Sequence, residues 1–141
     1  MKIGFTGTRG GMTTEQHRSF IAWIRDAAAT EFHHGCCIGS DADAAEVASS
    51  RDLGFARPRI VAHPPINNSK VSATEQMFAD ETRPPLDYLT RNRNIVDACD
   101  VLLACPKGPE ERRSGTWSTI RYARKCGKRV VIFWPNGEVT G

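Results

Sequence analysis

Short apolar runs alternate with longer amphipathic stretches along this chain. The apolar runs predict five strands, at residues 2–6, 32–38, 59–62, 101–105 and 129–134. The stretches between them predict helices, because their apolar residues recur every three or four positions. Strands that alternate with helices are typical of βαβ units, which build parallel sheets. The pattern therefore predicts an α/β fold.

Four segments show the spacing of a helix. The first follows a capping box at residues 13–16, where a threonine and a glutamine are spaced to exchange hydrogen bonds with the backbone. The second is rich in small residues, at 44–48, the third begins at Pro85, and the fourth covers residues 115–126. Residues 63–84 lack this spacing. They are predicted to form a long loop that acts as a lid or an oligomer contact.

These elements predict one arrangement of the sheet. Because parallel crossovers are right-handed, they predict a single Rossmann-like domain over residues 1–141. Its sheet is mainly parallel and five-stranded, in the order 3-2-1-4-5, with helices on both faces. In such a sheet the chain reverses between the first and fourth strands, and ligands bind beyond their carboxyl ends. The predicted ligand site is therefore the crevice where the loops at residues 7–11 and 106–116 meet.

Composition narrows the function classes. The 141 residues are 40% hydrophobic and 25% charged, as in soluble globular domains. No apolar run approaches the ~20 residues of a membrane span, and the N-terminus is predicted as a strand rather than a signal peptide. The five cysteines lack CxxC spacing, which fits a reducing compartment. We therefore expect a cytoplasmic protein without membrane contact, and its net charge of +3 suits an anionic ligand.

Two small-residue turns at the crevice carry groups that bind phosphate. The sequence Gly7-Thr8-Arg9-Gly10 follows the first strand, and Arg113-Ser114-Gly115-Thr116 opens the last helix. Glycine lets the backbone approach an anion, and the amides of a helix N-terminus donate hydrogen bonds to it. The alternatives are a simple tight turn in the first case and helix capping by Ser114 in the second.

The third helix carries the sequence Arg91-Asn92-Arg93-Asn94. Helical spacing places Asn92 in the middle of the apolar face, with Arg91 and Arg93 on either side of it. One arginine is then expected to reach the crevice while the other stays in solvent. A buried amide needs partners, and either a ligand or the neighbouring loop backbone supplies them to Asn92.

Acidic residues cluster after the second strand. Gly39 and Ser40 end the loop there, and Asp41, Asp43 and Glu46 follow in the next helix. They are predicted to hold ribose hydroxyls, or to act as a general acid or base at a glycosidic bond. The alternative is that the carboxylates only stabilise the helix dipole. The catalytic candidates are Asp41, Asp43, Glu46 and Arg91.

The run His33-His34-Gly35-Cys36-Cys37 raises the question of a metal. Its spacing matches no common zinc pattern, and alternate residues of a strand face opposite ways. We predict buried strand residues here, with no metal and no cofactor.

The motifs together resemble the SLOG superfamily. This Rossmann-like group includes DprA, the Lonely Guy (LOG) phosphoribohydrolases and the molybdenum-cofactor carrier-like proteins. The resemblance spans nearly the whole chain and is most specific at residues 34–41, 63–65, 91–96 and 114–116. It implies a small stand-alone bacterial or phage protein that binds nucleotides or nucleotide-derived signals in the same crevice. It also implies a homo-oligomer, because related proteins often dimerise through helices beside the site.

Departures from the family pattern separate the possible functions. LOG enzymes carry a catalytic glutamate three residues beyond the threonine that matches Thr116, and this chain has Thr119 there. DprA proteins that act on single-stranded DNA have further segments. We therefore hypothesise a protein that senses or sequesters a phosphorylated ribonucleoside. The alternatives are an N-glycosidase or ribosyltransferase acting on nucleotides, and a single-stranded nucleic-acid binder. The residues expected to bind the ligand are Gly7, Thr8, Arg9, Gly10, Gly39, Ser40, Asp41, Arg91, Asn92, Arg93, Arg113, Ser114, Gly115 and Thr116.

Overall fold

The computed structural model describes residues 1–67 and 78–141. These residues form, in chain order, β1 (Lys2–Gly7), α1 (Thr14–Arg25), β2 (Glu31–His34), α2 (Ser40–Ser49), β3 (Arg59–Ala62), β4 (Glu81–Thr82), α3 (Tyr88–Ala98), β5 (Val101–Cys105), α4 (Gly115–Lys125), β6 (Arg129–Phe133) and β7 (Val139–Thr140). The capping box at the start of α1 is present, with hydrogen bonds between Thr13 and Gln16 in both directions. Within the described ranges, no helix has the length and hydropathy that a membrane span requires.

The strands form one sheet in the order β4-β3-β2-β1-β5-β6-β7, parallel except for the β6–β7 pair. The predicted α/β class and the order of the five longer strands are confirmed. The prediction of five strands is wrong, because the described part of the chain has seven. The two additional strands, β4 and β7, contain two residues each at the edges of the sheet. So short a segment cannot show the alternation by which a strand is predicted.

Helices cover both faces of the sheet, as predicted. On one face, Phe20 of α1 packs edge-on against Phe5 and Phe32 of the sheet, with ring centres 5.7 and 6.3 Å apart. On the other face, Val96 of α3 and Ile120 of α4 belong to a second apolar cluster. Burial of these side chains holds the layers together, since each large apolar side chain contributes about 1.5–3 kcal/mol. The carboxyl ends of β1 and β5 lie side by side at one end of the sheet.

The start of α3 differs from the prediction. The helix begins at Tyr88, after the N-cap residue Asp87, and not at Pro85. A bridge between Pro65 and Leu86 joins the segment before the helix to the chain beyond β3. This long-range contact sets where the helix can begin, and the local sequence gives no sign of it.

The buried face of α3 also differs. Arg91 is only 5% exposed, whereas Leu89 is 54% exposed and Asn92 is half-buried. Asn92 lies on the same face of the helix as Ile95 and Val96 and lines the crevice, but it is only half-buried. Arg91 takes the buried position because backbone carbonyls accept hydrogen bonds from its guanidinium.

The second strand is shorter than predicted. β2 ends at His34 rather than at Ile38. Cys36 and Gly39 adopt positive φ angles of 57° and 89°, so the chain turns sharply before α2. Ile38 is exposed as a result. An apolar run alone does not reveal such a turn.

The predicted long loop at residues 63–84 is described only in part. Glu81 pairs with Val61 in β3, so this part of the segment is a strand and the loop prediction is wrong there. Residues 68–77, the middle of the predicted lid, lie outside the described residues.

Candidate functional site

A cavity of about 580 Å³ opens at the carboxyl ends of β1 and β5. This is the point where the chain reverses direction across the sheet, at which ligands of open α/β sheets bind. Its volume lies within the roughly 300–1,000 Å³ of small-molecule sites. The predicted site residues that line this crevice are Gly7, Thr8, Arg9, Asp41, Arg91, Asn92, Arg113, Ser114, Gly115 and Thr116.

The N-terminus of α4 forms one wall of the crevice. The Ser114 hydroxyl accepts a hydrogen bond from the Trp117 amide at 3.2 Å, and the Ser114 carbonyl accepts the Ser118 amide at 2.9 Å. Gly115 and Thr116 are the first two residues of the helix. Their amides have no acceptor within the helix, because the first N–H groups of any helix lack one. A Cβ atom built on Gly115 would have no described atom within 4 Å. Gly115 and Thr116 both line the cavity, so this helix end is accessible to an anion.

The turn after β1 forms a second wall. The Thr8 amide donates to the Cys105 carbonyl at 3.0 Å, which ties the turn to the end of β5. The Thr8 carbonyl accepts the amide of Ser40 at 3.0 Å, so the turn is also fixed to the start of α2. Gly7 is required at this close approach, because a Cβ there would overlap Ser40. Gly10 is exposed at the outer side of the turn and does not line the crevice.

Gly39 and Ser40 lie behind the wall rather than in it. Gly39 has a positive φ, and a side chain there would collide with the backbone of Arg9. Ser40 is fully buried, and its hydroxyl has no hydrogen-bond partner among the described residues. Both residues bring two loops together, and neither lines the crevice.

Arg91 crosses from α3 to the turn after β2. Its Nη1 donates to the carbonyl oxygen of Gly35 and, at 3.3 Å, to that of His63. Gly35 has no room for a side chain, because a Cβ there would overlap the guanidinium. The Nε of Arg91 has no hydrogen-bond partner among the described residues. Arg91 therefore both holds the turn in place and presents charge to the crevice.

Arg93 points elsewhere. It is exposed, and its guanidinium lies 5.3 Å from the ring centre of Tyr122 on α4. It lines a separate cavity of about 240 Å³ between α3 and α4. Of the two flanking arginines, Arg91 reaches the crevice and Arg93 does not.

Asp41 is the buried carboxylate of the crevice, at 6% exposure. Its Oδ2 accepts hydrogen bonds from the amides of Gly35 at 3.1 Å and Cys37 at 3.2 Å. Burial raises the pKa of Asp41 to about 6, although Arg91 and the two amides act in the opposite direction. A carboxyl group with such a pKa can exchange a proton near neutral pH.

The other two acidic candidates are not part of the crevice. The Asp43 Oδ2 accepts the amide of Met12 at 2.9 Å, which fixes the loop before α1. Glu46 is exposed on α2. Neither residue lines the crevice.

Sequence reasoning missed several lining residues, above all Tyr88. Two guanidiniums lie over its ring, with the Cζ of Arg9 at 5.5 Å and that of Arg91 at 5.3 Å from the ring centre. Its hydroxyl is buried and has no hydrogen-bond partner among the described residues. The sequence does contain a signal for the position of Tyr88. Aspartate is a preferred N-cap residue, and the residue that follows an N-cap lies in the first turn of the helix. The other lining residues that were missed are Phe5, Thr6, Gly35, Cys37, Ile95, Lys107 and Glu111.

The histidine and cysteine run is buried, as predicted. His33 and His34 belong to β2, whereas Cys36 and Cys37 lie in the turn that follows it. Burial lowers the pKa of His34 to about 3, so its imidazole is neutral. Among the described residues, no group of three or more histidine, cysteine or acidic side chains is arranged to hold a metal ion.

The sequence matches no protein-family profile and no curated protein. Among solved structures, the fold is similar to the X-ray structure of TM1055, at 19% identity over 92% of this chain and 72% of that chain, with a TM-score of 0.63. It is also similar to DNA processing protein A (DprA) from Streptococcus pneumoniae, at 19% identity over 93% of this chain, with a TM-score of 0.65. This chain spans about half of that DprA chain, at 49%. The similarity to both structures shows that the chain has a Rossmann-like α/β fold.

Proposed function

We propose that the crevice binds a phosphorylated ribonucleoside and that the protein senses or sequesters this ligand. The observation that carries the proposal is the open N-terminus of α4 inside a cavity of about 580 Å³. The amides of Gly115 and Thr116 donate to the phosphate there, as helix N-termini do in other phosphate sites. The Ser114 hydroxyl stabilises this helix end by capping the Trp117 amide.

Cationic side chains around the cavity support an anionic ligand. Arg9, Lys107 and Arg113 are exposed and line the crevice, and Arg91 adds a buried guanidinium. Flexible exposed cations can close on a phosphate with little rearrangement of the backbone. The acidic residue Asp41 then lies within the same cavity as an acceptor for ribose hydroxyls.

A second candidate function is cleavage or transfer at the N-glycosidic bond. The observation in its favour is the pKa of Asp41, raised to about 6 in a cavity that Arg91 also lines. A carboxyl group of this kind can donate a proton to a leaving base. The formation of a homo-oligomer through helices beside the site stays a prediction, whichever of the two functions is correct.

Native mass spectrometry of freshly purified protein, followed by calorimetry with AMP, ADP and ADP-ribose, tests the proposal. We expect a co-purifying nucleotide or saturable binding of at least one member of this panel. Binding of free adenosine at equal affinity would contradict a phosphate-directed site, because the helix N-terminus would then contribute nothing. A protein that binds none of these compounds and carries no ligand would contradict the proposed function.

A further inference from the structure

Cys37 lies in the crevice next to Arg91. Its Sγ is 3.7 Å from Nη1 and 3.7 Å from Nη2 of that guanidinium. The residue is 8% exposed and lines the cavity, so the route to its thiol runs through the crevice. Nη1 also donates to the carbonyls of Gly35 and His63, so Nη2 is the group with a hydrogen directed at the sulfur. The protonated thiol can donate to the Gly35 carbonyl at 3.6 Å. A guanidinium in contact with the sulfur favours the thiolate, which is the nucleophilic form of cysteine.

The charges around Cys37 come from two helices. Arg91 of α3 is buried and forms no ion pair within 4.0 Å among the described residues, so a thiolate would be its nearest anion. Asp41 of α2 opposes ionisation of the thiol. Its Oδ2 is held by the amides of Gly35 and Cys37, so part of its charge is already compensated. The guanidinium of Arg91 is thus a cation in direct contact with the sulfur.

Independent evidence also marks this part of the crevice as a binding site. The Nε of Arg91 lacks a partner among the described residues, although the side chain is only 5% exposed. A buried donor without an acceptor costs about 1–3 kcal/mol unless something supplies one. A ligand that enters the crevice can supply it, and such a ligand would lie against Cys37.

The other cysteines provide contrast. Burial raises the pKa of Cys99 to about 11, and it also raises that of Cys105. Neither of these two lines the crevice. Cys126 is exposed at the end of α4, outside the crevice, and serves as an accessible reference thiol.

We propose that Cys37 is a modification site, a thiolate that electrophiles reach through the crevice and whose modification blocks ligand binding. With iodoacetamide, the sulfur forms a bond to carbon, the carbon–iodine bond breaks, and iodide leaves. With hydrogen peroxide, the sulfur attacks one oxygen and the O–O bond breaks. The sulfur is then oxidised by two electrons to sulfenic acid, and the departing hydroxide takes up a proton to form water. The blocking effect rests on the proposed function, whereas the reactivity does not.

The test is the rate of alkylation by iodoacetamide at each cysteine, measured by peptide mass spectrometry between pH 5 and 10. The pH at which the alkylation rate rises reports ionisation of the thiol, whereas the maximal rate also depends on how easily iodoacetamide reaches the sulfur. We expect an inflection for Cys37 at least one pH unit below the ~8.5 of an ordinary thiol. A Cys37→Ser variant identifies the modified peptide, and Cys126 in the same sample controls for the quality of the reagent. A Cys37 that is not labelled, or whose inflection is at or above ~8.5, overturns the proposal.

The second arm uses a Cys126→Ser variant, which removes the exposed thiol. After alkylation of Cys37, affinity for the nucleotide that binds best should fall at least tenfold, and that nucleotide should slow labelling. Unchanged affinity after complete alkylation overturns the blocking role. Low-pH labelling in a protein that binds no nucleotide supports the reactive thiol and contradicts only the proposed function.

Discussion

The hydroxyl of Thr119 donates a hydrogen bond to the carbonyl oxygen of Gly115, at 2.9 Å. Thr119 is 3% exposed and does not line the crevice. The resemblance to LOG enzymes places their catalytic glutamate at Thr119, and this hydroxyl is engaged within its own helix. Thr119 therefore offers no base to a ligand in the crevice.

We therefore expect the protein to bind its nucleotide without rapid turnover. Incubation with nucleoside monophosphates and ADP-ribose, followed by chromatography, should show no release of free base within minutes. Thr119→Val should leave affinity unchanged, because the hydroxyl does not face the ligand.

If free base is released, Asp41 is the residue to test. Release of base at several turnovers per minute, lost in Asp41→Asn, would establish a glycosidase with Asp41 as the proton donor. Glu46→Gln is the matched control, because Glu46 is exposed and outside the crevice. Equal loss in both variants would argue against a specific role of Asp41.

The Tyr88 hydroxyl should contribute to ligand affinity. Tyr88→Phe keeps the ring that contacts Arg9 and Arg91 and removes only the buried hydroxyl, which lacks a partner among the described residues. We expect a loss of affinity of roughly fivefold, the effect of one hydrogen bond of about 1 kcal/mol. Tyr122→Phe is the control, since that hydroxyl bonds Asp97 outside the crevice. If calorimetry gives equal affinities for the wild type and Tyr88→Phe, the hydroxyl does not contact the ligand.

Asp41 should make stability depend on pH in a defined direction. Its pKa is raised from 3.8 to about 6 in the folded protein, so the unfolded chain loses this proton first as pH rises. The contribution of Asp41 to the free energy of unfolding therefore falls between about pH 4 and pH 6. The full loss is about 3 kcal/mol at 1.36 kcal/mol per pKa unit.

Urea unfolding of the wild type and Asp41→Asn at pH 4 and pH 7 measures this effect. The difference in unfolding free energy between the two proteins reports Asp41 alone. Carboxylates whose pKa is lowered, such as Asp80, contribute equally to both proteins and cancel. We expect the variant to gain stability relative to the wild type as pH rises. A constant difference between the two proteins would mean that Asp41 ionises at its ordinary pH.

Salt dependence should separate a nucleotide from a nucleic-acid strand. A nucleotide with one or two phosphates is expected to show a shallow dependence of affinity on salt, whereas a strand that contacts several phosphates weakens steeply. Part of the basic surface near α4 is already neutralised, because Arg121 pairs with Glu110 at 2.9 Å. Tight, strongly salt-dependent binding of an oligonucleotide by fluorescence anisotropy would favour the nucleic-acid alternative.

The sequence predicted the fold better than it predicted the walls of the crevice. The strands and helices could be predicted from the spacing of apolar residues, and their order in the sheet from the right-handedness of parallel crossovers. The position of Arg91 depends on the carbonyls of Gly35 and His63, distant in sequence. No helical pattern contains that information.

The same distinction applies to the turns. Ser114 and its neighbours were identifiable because capping residues and a small residue coincide at the start of a helix. Gly39 was expected in the crevice, but its positive φ serves the close approach of α2 to Arg9. Both roles require glycine, so residue type alone could not distinguish them.

The central claim is that the N-terminus of α4 binds the ligand phosphate, and Gly115→Val tests it most directly. A Cβ added at Gly115 would meet no described atom within 4 Å, so we expect the domain to stay folded while the valine side chain fills part of the crevice. Gly108→Val is the matched control, because Gly108 also has open space around it and does not line the crevice. Calorimetry with the nucleotide that binds best should show no binding by folded Gly115→Val and unchanged binding by Gly108→Val. Wild-type affinity in folded Gly115→Val would contradict the account.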